Sequence, residues 1–252
     1  MNKISAVIIT YNEEQNIARC LQSLQDVADE VIVVDSGSTD KTEEICKKFG
    51  VKFIFKQWLG YGNQKNFANT LVQYDYILSL DADEALSDAL RKSILEVKQT
   101  FVEEAYSMNR LTNYCGKWIK HCGWYPDVKI RLWKKNQAEW SRDEVHETLF
   151  LQTDTKTLHL KGDLLHYSYH SIGDHILKLN KFTEIGAYDY YKRGKKISFA
   201  KIIYKPLWKF MSDYFIKLGF LDGYYGFVVC SISAFVTFTK YVKARYFILN
   251  SP

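Results

Sequence analysis

Proline and paired cysteine are scarce in this 252-residue chain, and each shortage excludes a class of structure. Three prolines are too few for a proline-rich linker. The five cysteines are odd in number and contain no Cys-x-x-Cys pair, so reduced thiols of a cytosolic protein are expected. A zinc or disulfide loop between Cys115 and Cys122 is the alternative, although no neighbouring residues complete a ligand set.

The chain also lacks a recognisable secretory signal and a clear membrane-spanning run. The apolar run within residues 1–14 is short, turns acidic at once and has no small-residue cleavage site. We therefore expect the chemistry to take place on the cytoplasmic side. The stretch without charge between Asp222 and Lys240 falls just short of the roughly 20 residues that a spanning helix needs.

Length and composition are those of a globular protein, but the charge is uneven. With 47% hydrophobic and 25% charged residues, 252 residues suit one α/β domain with an appendage, or two small domains. Residues 171–252 contain 13 Lys and Arg against 5 Asp and Glu, whereas the remaining residues contain 21 against 24. The basic last third predicts contact with an anionic surface.

The first hundred residues alternate between apolar runs and amphipathic segments. The predicted strands are Ile4–Thr10, Glu30–Asp35, Val51–Phe55 and Tyr76–Leu80. Asn12 and Ser87 are placed to cap the helices that follow, and Asp40 with Glu43 resembles a capping box. This β-α repeat predicts an α/β fold, with a Rossmann-like, mainly parallel sheet covered by helices.

The pattern changes after residue 100. Strands are predicted over Ala105–Asn113 and Val128–Trp133. The strand over Val128–Trp133 has apolar residues at alternate positions, so one of its faces is expected to be buried and the other exposed. From Ser171 onward the chain is expected to be mostly helical. We predict an α/β domain that contains the binding and catalytic residues over residues 1–170, and a helical, basic and aromatic extension over residues 171–252 that could associate with a membrane.

Polar clusters follow three of the predicted strands at their carboxyl ends, where open α/β sheets bind ligands. The clusters are Thr10-Tyr11-Asn12-Glu13, Asp35-Ser36-Gly37-Ser38-Thr39-Asp40 and Asp81-Ala82-Asp83-Glu84. Because the carboxyl ends of parallel strands share one edge of a sheet, these clusters are the first candidates for a binding site.

Asp81 and Asp83 can face one cation if the backbone turns after the strand. Mg²⁺ and Mn²⁺ take oxygen ligands and share their coordination shell with substrate phosphates. An Asp-x-Asp pair is common, and a solvated acidic turn is the alternative. The apolar strand before the pair and the two other clusters at the same edge favour a metal site.

The other two clusters carry groups suited to a nucleoside. Tyr11 can lie against a flat base, Glu13 can accept hydrogen bonds from ribose hydroxyls, and Asp35 can accept from an N–H of a base such as uracil. Gly37 permits close approach of a ligand, and the following helix N-terminus favours anions. Ordinary helix capping and packing are the alternatives for these residues.

The motifs VIITYNEE, VVDSGSTDKT and LSLDADE, in this order within the first 85 residues, resemble those of the family 2 glycosyltransferases with the GT-A fold. The resemblance implies a nucleotide held by Thr10, Tyr11, Asn12, Glu13, Asp35, Ser36, Gly37, Ser38, Lys65, Asp81 and Ala82. It also implies Mg²⁺ or Mn²⁺ on the diphosphate, held by Asp83 and Asp81. Lys65 matches a basic position near the nucleotide; a solvent-exposed helical lysine is the alternative.

Two later segments, VKIRLWKKNQAEW and KPLWKFMSDYFIKLGFLDGYYGF, resemble the lipopolysaccharide core glucosyltransferases. This resemblance implies inverting transfer of a hexose, glucose from UDP-glucose, onto a saccharide or lipid-linked acceptor of the cell envelope. Galactose or an N-acetylhexosamine fits the same motifs. It implies a place on the inner face of the bacterial inner membrane, in peripheral contact with the lipid. No nucleic-acid-binding motif is visible, and the oligomeric state is open.

The catalytic base is expected in the segment Asp143-Glu144-Val145-His146-Glu147. Inverting transfer needs a carboxylate that takes the proton of the acceptor hydroxyl. The family usually supplies it from a Glu-Asp motif, and this chain departs from that pattern. Glu147 is the first candidate, with Glu144 and Asp143 behind it, and an exposed acidic turn is the alternative.

A histidine could complete the metal site, because imidazole is an acceptable ligand for Mn²⁺. His166, which follows an apolar run, is the first choice, and His146 and His170 are the alternatives. For any single histidine, a structural role is the competing interpretation.

Aromatic and basic residues interleave in the last third of the chain. The aromatic residues are Trp208, Phe210, Tyr214, Phe215, Phe220, Tyr224, Tyr225 and Phe227, and the basic ones are Lys201, Lys205, Lys209 and Lys217. Rings at the headgroup level and lysines on anionic lipid predict an interfacial anchor. A helical subdomain whose rings form a core or an oligomer contact is the alternative.

Two other functions compete with glycosyl transfer. A nucleotidyltransferase that makes sugar nucleotides also uses a Rossmann-like sheet and Mg²⁺, but it usually has a Gly-rich, basic loop after the first strand. The corresponding segment here, TYNEEQN, has neither. A non-catalytic membrane scaffold is the second rival, and the intact Asp81 and Asp83 carboxylates argue against it.

Overall fold

The structure is a computed structural model that describes residues 2–141, 148–194 and 196–250. The chain divides into two compact units: residues 1–110 with 127–167, and residues 111–126 with 168–252. The division into domains 1–170 and 171–252 stays a prediction.

The elements alternate between strand and helix in the first part and become helical in the last. The strands are β1 (Ile4–Thr10), β2 (Glu30–Asp35), β3 (Lys52–Phe55), β4 (Tyr76–Asp81), β5 (Glu84–Leu86), β6 (Ala105–Tyr114), β7 (Lys117–Ile119), β8 (Asp127–Lys134), β9 (Ala138–Trp140), β10 (Leu149–Leu151) and β11 (Thr157–Tyr169). The helices are α1 (Ile17–Ser23), α2 (Thr42–Lys48), α3 (Tyr61–Thr70), α4 (Asp88–Gln99), α5 (Ile172–Lys192), α6 (Phe199–Met211) and α7 (Gly223–Asn250).

The main sheet has a parallel half and an antiparallel half, in the order β3-β2-β1-β4-β8-β6-β11-β5. The four strands from β3 to β4 are parallel, and β4–β8, β6–β8 and β5–β11 are antiparallel pairs. Every residue of β1 is buried, as expected for a parallel strand covered on both faces. The predicted α/β fold class with a helical C-terminal extension is confirmed, and β1 and β2 have the predicted bounds.

One of the predicted helix caps is present and two are not. The Ser87 hydroxyl accepts a hydrogen bond from the Leu90 amide at 3.3 Å, as predicted for α4. Asn12 does not cap α1, because its side chain accepts from the Thr39 amide instead. Lys41 is the N-cap residue of α2, so the predicted capping box of Asp40 with Glu43 is wrong, although Asp40 Oδ1 does accept from the Thr42 amide at the start of the helix at 3.0 Å.

The half-exposed pattern predicted for the strand at Val128–Trp133 is wrong. Val128 is 56% exposed, whereas Arg131 and Trp133 are 3% and 0% exposed. Strand β8 is an interior strand between β4 and β6, and three consecutive residues of its second half, Arg131 to Trp133, are buried, so this half is covered on both faces. Burial of Arg131 requires anionic partners, because an isolated buried charge is strongly unfavourable.

The second unit is built around three helices. The longest, α7, packs against both α5 and α6. A π-helical turn at Ser212–Ile216 and a 3₁₀ turn at Gly219–Asp222 connect α6 to α7. The side chain of Ser171 and that of Asp174 form a reciprocal capping box at the start of α5. All five cysteines of the chain are free thiols.

Helix α7 is longer than the charge-free stretch suggested. Gly219–Asn250 is long and apolar enough to cross a membrane by length and composition, so the expectation that this region falls short was wrong. In its most apolar window, 28% of the residues are buried. A core helix of a soluble protein meets the same criterion, so length and composition do not separate the two.

Candidate functional site

The loops that follow β1 and β2 are joined by hydrogen bonds. The Asn12 amide donates to the Ser38 hydroxyl at 2.8 Å, and the Asn12 side-chain oxygen accepts from the Thr39 amide at 2.8 Å. The Glu13 amide donates to the Thr42 hydroxyl at 2.9 Å. The first two predicted clusters therefore form one surface at the carboxyl ends of β1 and β2.

Asp35 organises the second loop. Its carboxylate is 3% exposed and accepts from the amides of Gly37 and Ser38, both at 2.8 Å, and from the Ser38 hydroxyl. Gly37 adopts a positive φ of 98°, which other residues rarely adopt. A carboxylate has about four acceptor positions, so these three bonds leave room for one further donor.

Two exposed rings lie at the ends of strands beside this loop. Tyr11, which follows the buried Thr10, is 57% exposed. Phe55 is 67% exposed, pairs with Asp35 across β2 and β3, and would lie 3.5 Å from a Cβ atom on Gly37. Phe55 was missed by sequence reasoning. Its position as an exposed aromatic residue at the carboxyl end of a strand was the available signal.

The Asp-x-Asp segment lies in a network of ion pairs. Asp81 Oδ1 is 2.7 Å from Lys65 Nζ, and Asp81 Oδ2 is 2.9 Å from a terminal nitrogen of Arg131. The same nitrogen lies 2.7 Å from Oε1 of Glu84, whose side chain is fully buried. Burial raises the pKa of Asp81, but the Lys65 ammonium and the Arg131 guanidinium outweigh it and hold that pKa well below its ordinary value. Asp81 is therefore ionised.

Lys65 is held at the same place by an aromatic ring. Its side chain is 1% exposed, and Nζ lies 4.5 Å from the centre of the Trp140 ring. The alternative of a solvent-exposed helical lysine is therefore wrong. Arg131 was not a predicted site residue, and the sequence placed it on the exposed face of β8. Its position is identified only by its partners in the folded structure, the partly exposed Asp81 and the fully buried Glu84.

Neighbouring residues of α3 connect the two clusters. The side-chain nitrogen of Gln64 donates to the Ser36 hydroxyl at 3.2 Å and to the Lys56 carbonyl at 3.0 Å. The next residue, Lys65, pairs with Asp81. Helix α3 thus links the loop after β2 to the acidic segment after β4, and a ligand that spans both would lie beside the start of this helix.

Asp83 lies beside His166, the histidine that is the first choice for a third metal ligand. His166 Nε2 is 3.3 Å from Asp83 Oδ2, and the two side chains are 15% and 19% exposed. The antiparallel pair β5–β11 aligns His166 with Glu84, and the Tyr167 amide donates to the Asp83 carbonyl at 2.8 Å. The backbones of Asp83 and His166 are therefore held side by side.

The carboxylate of Asp83 fits a Mn²⁺ or Mg²⁺ ion that takes its other ligands from phosphate and water, and the imidazole of His166 fits Mn²⁺ better than Mg²⁺. No three His, Cys, Asp or Glu side chains within residues 2–141, 148–194 and 196–250 are grouped to hold a metal by themselves. Asp81 meets Lys65 and Arg131, and Ala82 between the two acids is 4% exposed. Asp83 and His166 would leave most coordination positions of an ion open, which is the arrangement expected when a bound ligand supplies the other donors.

The predicted base residues Asp143, Glu144 and Glu147, and the alternative metal ligand His146, lie outside the described residues. Their assignment stays a prediction. The nucleotide and metal roles of the other residues are predictions too, although the structure brings those residues to one edge of the sheet.

Comparison with known proteins identifies the family. The family model described as Glycosyl transferase family 2 matches residues 5–195. The chain belongs to glycosyl transferase family 2, and it is a transferase of the glycosyltransferase class.

Curated relatives extend this likeness over nearly the whole chain. An uncharacterized glycosyltransferase of Rickettsia typhi is 36% identical over 100% of this chain and 89% of its own length. The lipopolysaccharide core biosynthesis glycosyltransferase LpsC of Rhizobium meliloti is 29% identical over 92% of this chain and 85% of its own length.

Among solved structures, glucosyl-3-phosphoglycerate synthase from Mycobacterium tuberculosis, in complex with Mn²⁺, UDP and glucosyl-3-phosphoglycerate, is similar to this chain. It aligns over 44% of each chain with 22% identity and a TM-score of 0.38. Identity and coverage at this level do not indicate which ligands this chain binds.

Proposed function

We propose that this chain is an inverting glycosyltransferase that moves a hexose, glucose from UDP-glucose, onto a saccharide or lipid-linked acceptor. The pathway that fits best is synthesis of lipopolysaccharide core or another cell-envelope glycan. The family membership supports glycosyl transfer, and the likeness to LpsC supports the choice of pathway. The proposed product is a β-linked sugar.

The observation that carries the proposal is the connection made by α3 between the two clusters. Gln64 contacts the loop after β2, and Lys65 contacts the acid after β4. A nucleoside diphosphate has a base at one end and a pyrophosphate at the other. The loop after β2 would contact the base, and the acidic segment after β4 would contact the pyrophosphate through a metal ion. The nucleoside would lie by Tyr11, Asp35 and Phe55, and the pyrophosphate beside Asp83.

Each residue of the site would have a separate role in the transfer reaction. Asp83, with His166 beside it, would hold Mg²⁺ or Mn²⁺, which when bound neutralises charge on the leaving diphosphate. Lys65 and Arg131 hold Asp81 ionised and in place. Fixed charges of this kind favour the transition state without reorganisation. The base that takes the acceptor proton is proposed to be Glu147, with Glu144 and Asp143 as the other candidates.

We further propose that the protein works on the cytoplasmic side, in peripheral contact with the inner membrane. A lipid-linked acceptor is presented at the membrane surface, so the enzyme must reach that surface. Of the aromatic residues expected there, Trp208, Phe215, Phe220, Tyr224 and Phe227 are exposed, whereas Phe210, Tyr214 and Tyr225 pack on a core of the second unit. The exposed rings support an anchor, and the packed ones fit the alternative of a helical core.

A panel of nucleotide sugars tests the function. Release of nucleoside diphosphate is measured with and without Mn²⁺ or Mg²⁺, and UDP-glucose with metal is expected to give the largest rate. Asp83→Ala should lower that rate about a thousandfold or more, since the charge on the leaving group loses its stabilisation.

Asp75→Ala is the matched control, because Asp75 is exposed at the opposite end of the segment that includes β4. It should retain the wild-type rate. Wild-type activity in folded Asp83→Ala would contradict the metal assignment. Release of pyrophosphate from UTP and a sugar phosphate would instead indicate a nucleotidyltransferase, and inactivity on every donor would indicate a scaffold.

A further inference from the structure

Helix α3 makes a further contact beside the candidate site, through the residue that follows Lys65. The side chain of Asn66 forms two hydrogen bonds with the backbone of Trp140 in β9. Its nitrogen donates to the Trp140 carbonyl at 2.9 Å, and its oxygen accepts from the Trp140 amide at 2.9 Å. This exchange of two bonds is the one that paired strand residues make, so it fixes the backbone of Trp140 relative to α3.

A glycine on the same face of α3 permits this close approach. Gly62 precedes Asn66 by four residues, so the two residues share one face of the helix. A Cβ atom on Gly62 would lie 1.8 Å from the carbonyl oxygen of Ser141, the residue after Trp140. Only glycine leaves room for the backbone here. Helix α3 therefore holds the end of β9 by direct backbone approach as well as by hydrogen bonds.

The ring of Trp140 lies beside both cations that contact Asp81. The centre of the ring is 4.5 Å from Lys65 Nζ and 5.6 Å from Arg131 Cζ. Trp140, Lys65 and Arg131 are all buried. A cation within about 6 Å of an indole centre is attracted to the negative face of the ring, most strongly where water is excluded. The ring therefore compensates part of the hydration that the buried cations have lost.

The two cations act on one carboxylate, so their positions determine that of Asp81. Lys65 Nζ is 2.7 Å from one oxygen of Asp81, and a nitrogen of Arg131 is 2.9 Å from the other. Two like charges held at one carboxylate repel each other. A displacement of either would move Asp81 and the Asp83 segment that follows it. The contact with the ring opposes such displacement of both cations.

We propose that Trp140, held by Asn66, is a positioning residue of the candidate site. Its ring holds Lys65 and Arg131, and through them Asp81, in the geometry that the transfer reaction needs. Packing in the core is the competing role, because Trp140 also contacts Trp133 edge-on at 6.0 Å between ring centres. Packing depends on the size of the ring, whereas attraction of cations depends on the electron density of its face. The proposal rests on the proposed function, because it concerns the same site.

Fluorinated tryptophans separate these two roles in the full-length protein. Each added fluorine weakens the negative face of the ring and changes its size little. Mono-, di- and tetrafluorotryptophan are introduced at Trp140 by cell-free translation with a suppressor tRNA, and nucleoside diphosphate release from UDP-glucose with Mg²⁺ is measured. We expect kcat to fall in that order, at least about fivefold with tetrafluorotryptophan, and KM to change less than about twofold, because fixed charges act on the transition state.

The same series at Trp133 is the matched control. Among the residues that the structure describes, no cation lies over the Trp133 ring, although this ring is as deeply buried as that of Trp140. Fluorination there should leave kcat within about twofold of the wild-type value. A constant kcat across the Trp140 series, or equal losses at the two positions, would overturn the proposal.

A double-mutant cycle tests whether Asn66 acts through Trp140. Asn66→Ala and Trp140→Leu should each lower kcat about tenfold, and the double variant should be no more than about twofold slower than either, because the second change removes a contact that is already lost. Thr70→Ala, at the exposed last residue of α3, should keep the wild-type kcat. Losses that multiply in the double variant would overturn the role of Asn66. If Trp140→Leu does not fold, the fluorinated series still decides the role of Trp140.

The outcomes separate this inference from the proposed function. A wild-type chain that releases no nucleoside diphosphate from any nucleotide sugar would contradict that function and, with it, the role of Trp140 in transfer. Urea denaturation of the fluorinated series reports on the contact alone, because a cation beside a ring stabilises the fold. Denaturation midpoints that fall with fluorination while kcat stays constant would show a structural contact only and would overturn the positioning role.

Discussion

The two units of this protein differ in which charged residues they bury and in how much apolar surface they expose. The first unit buries charges of both signs beside its candidate site, where Arg131 and Lys65 pair with Asp81 and Glu84. The second unit, over residues 196–250, buries only its two acids and leaves its accessible charge positive. Of the described residues, 23 large hydrophobic ones are exposed in the second unit and ten in the larger first unit. This difference fits the proposal that the first unit holds a charged ligand and the second meets an apolar, anionic surface.

The buried ion pairs of the first unit give the largest expected effect on stability. Arg131→Met leaves the Glu84 carboxylate fully buried without its nearest cation, so the free energy of unfolding should fall by about 3 kcal/mol or more. Urea denaturation measures this loss.

Lys129→Met on the same strand is the control, because Lys129 forms a more exposed pair with Asp127 and its loss should cost less than about 1 kcal/mol. Equal losses of unfolding free energy in the two variants would show that the buried ion pair at the candidate site contributes no more stability than an exposed one. Burial of charge would then not distinguish the first unit from the second.

A buried histidine in the second unit gives an effect that depends on pH. His175 accepts or donates a hydrogen bond at 3.0 Å with the Tyr114 hydroxyl, and burial, with a smaller effect of Lys178, lowers its pKa to about 4. The unfolded chain binds a proton on this histidine near pH 6.5 and the folded chain only near 4. Between these values the unfolded state holds more protons, so stability falls as the pH falls.

Over that window the loss attributed to His175 should be about 2 to 3 kcal/mol. Urea denaturation at several pH values measures it, and His175→Gln should have a flatter profile between pH 6.5 and 4. Parallel profiles for the two chains would show that His175 is not the residue that senses pH in the core of the second unit.

The exposed lysines of the second unit give the smallest expected effect. Lys205→Gln should weaken binding to phosphatidylglycerol-containing vesicles about fivefold, since one lysine near an anionic surface contributes about 1 kcal/mol. Added salt should reduce the difference. Lys92→Gln, at an exposed lysine of α4 in the first unit, should leave binding unchanged. If both substitutions have the same effect, the positive surface is not specific to the second unit.

Much of the parallel half of the sheet could be predicted, whereas the antiparallel half could only be predicted in part. Strands β1 and β2 are continuous apolar runs, which local pattern identifies with their bounds. Strands β5, β7, β9 and β10 have three residues each, too few for any periodicity. The alternation in β8 indicated a half-exposed strand, because sequence pattern does not include the residues that pack on the faces of its second half, such as Trp140 beside Trp133.

The candidate site shows the same division. Tyr11, Asp35, Asp81 and Asp83 could be found because motif and strand end coincide in the sequence. His166 was the first choice for a third metal ligand, and the β5–β11 pairing places it beside Asp83; its role as a ligand stays a prediction. Phe55 was missed although it ends a predicted strand, and Arg131 was not found, since its importance depends on Asp81 and Glu84 far away in the chain.

The sequence by itself determined the parallel core, the order of the three polar clusters and the basic character of the last third, because these depend on local apolar runs and on composition. Only the tertiary structure decided that Lys65 and Arg131 neutralise Asp81, that α3 connects the loop after β2 to the acid after β4, and that Asp213 and Asp222 are buried. Burial and ion pairing join residues that lie far apart along the chain, so no local pattern contains them.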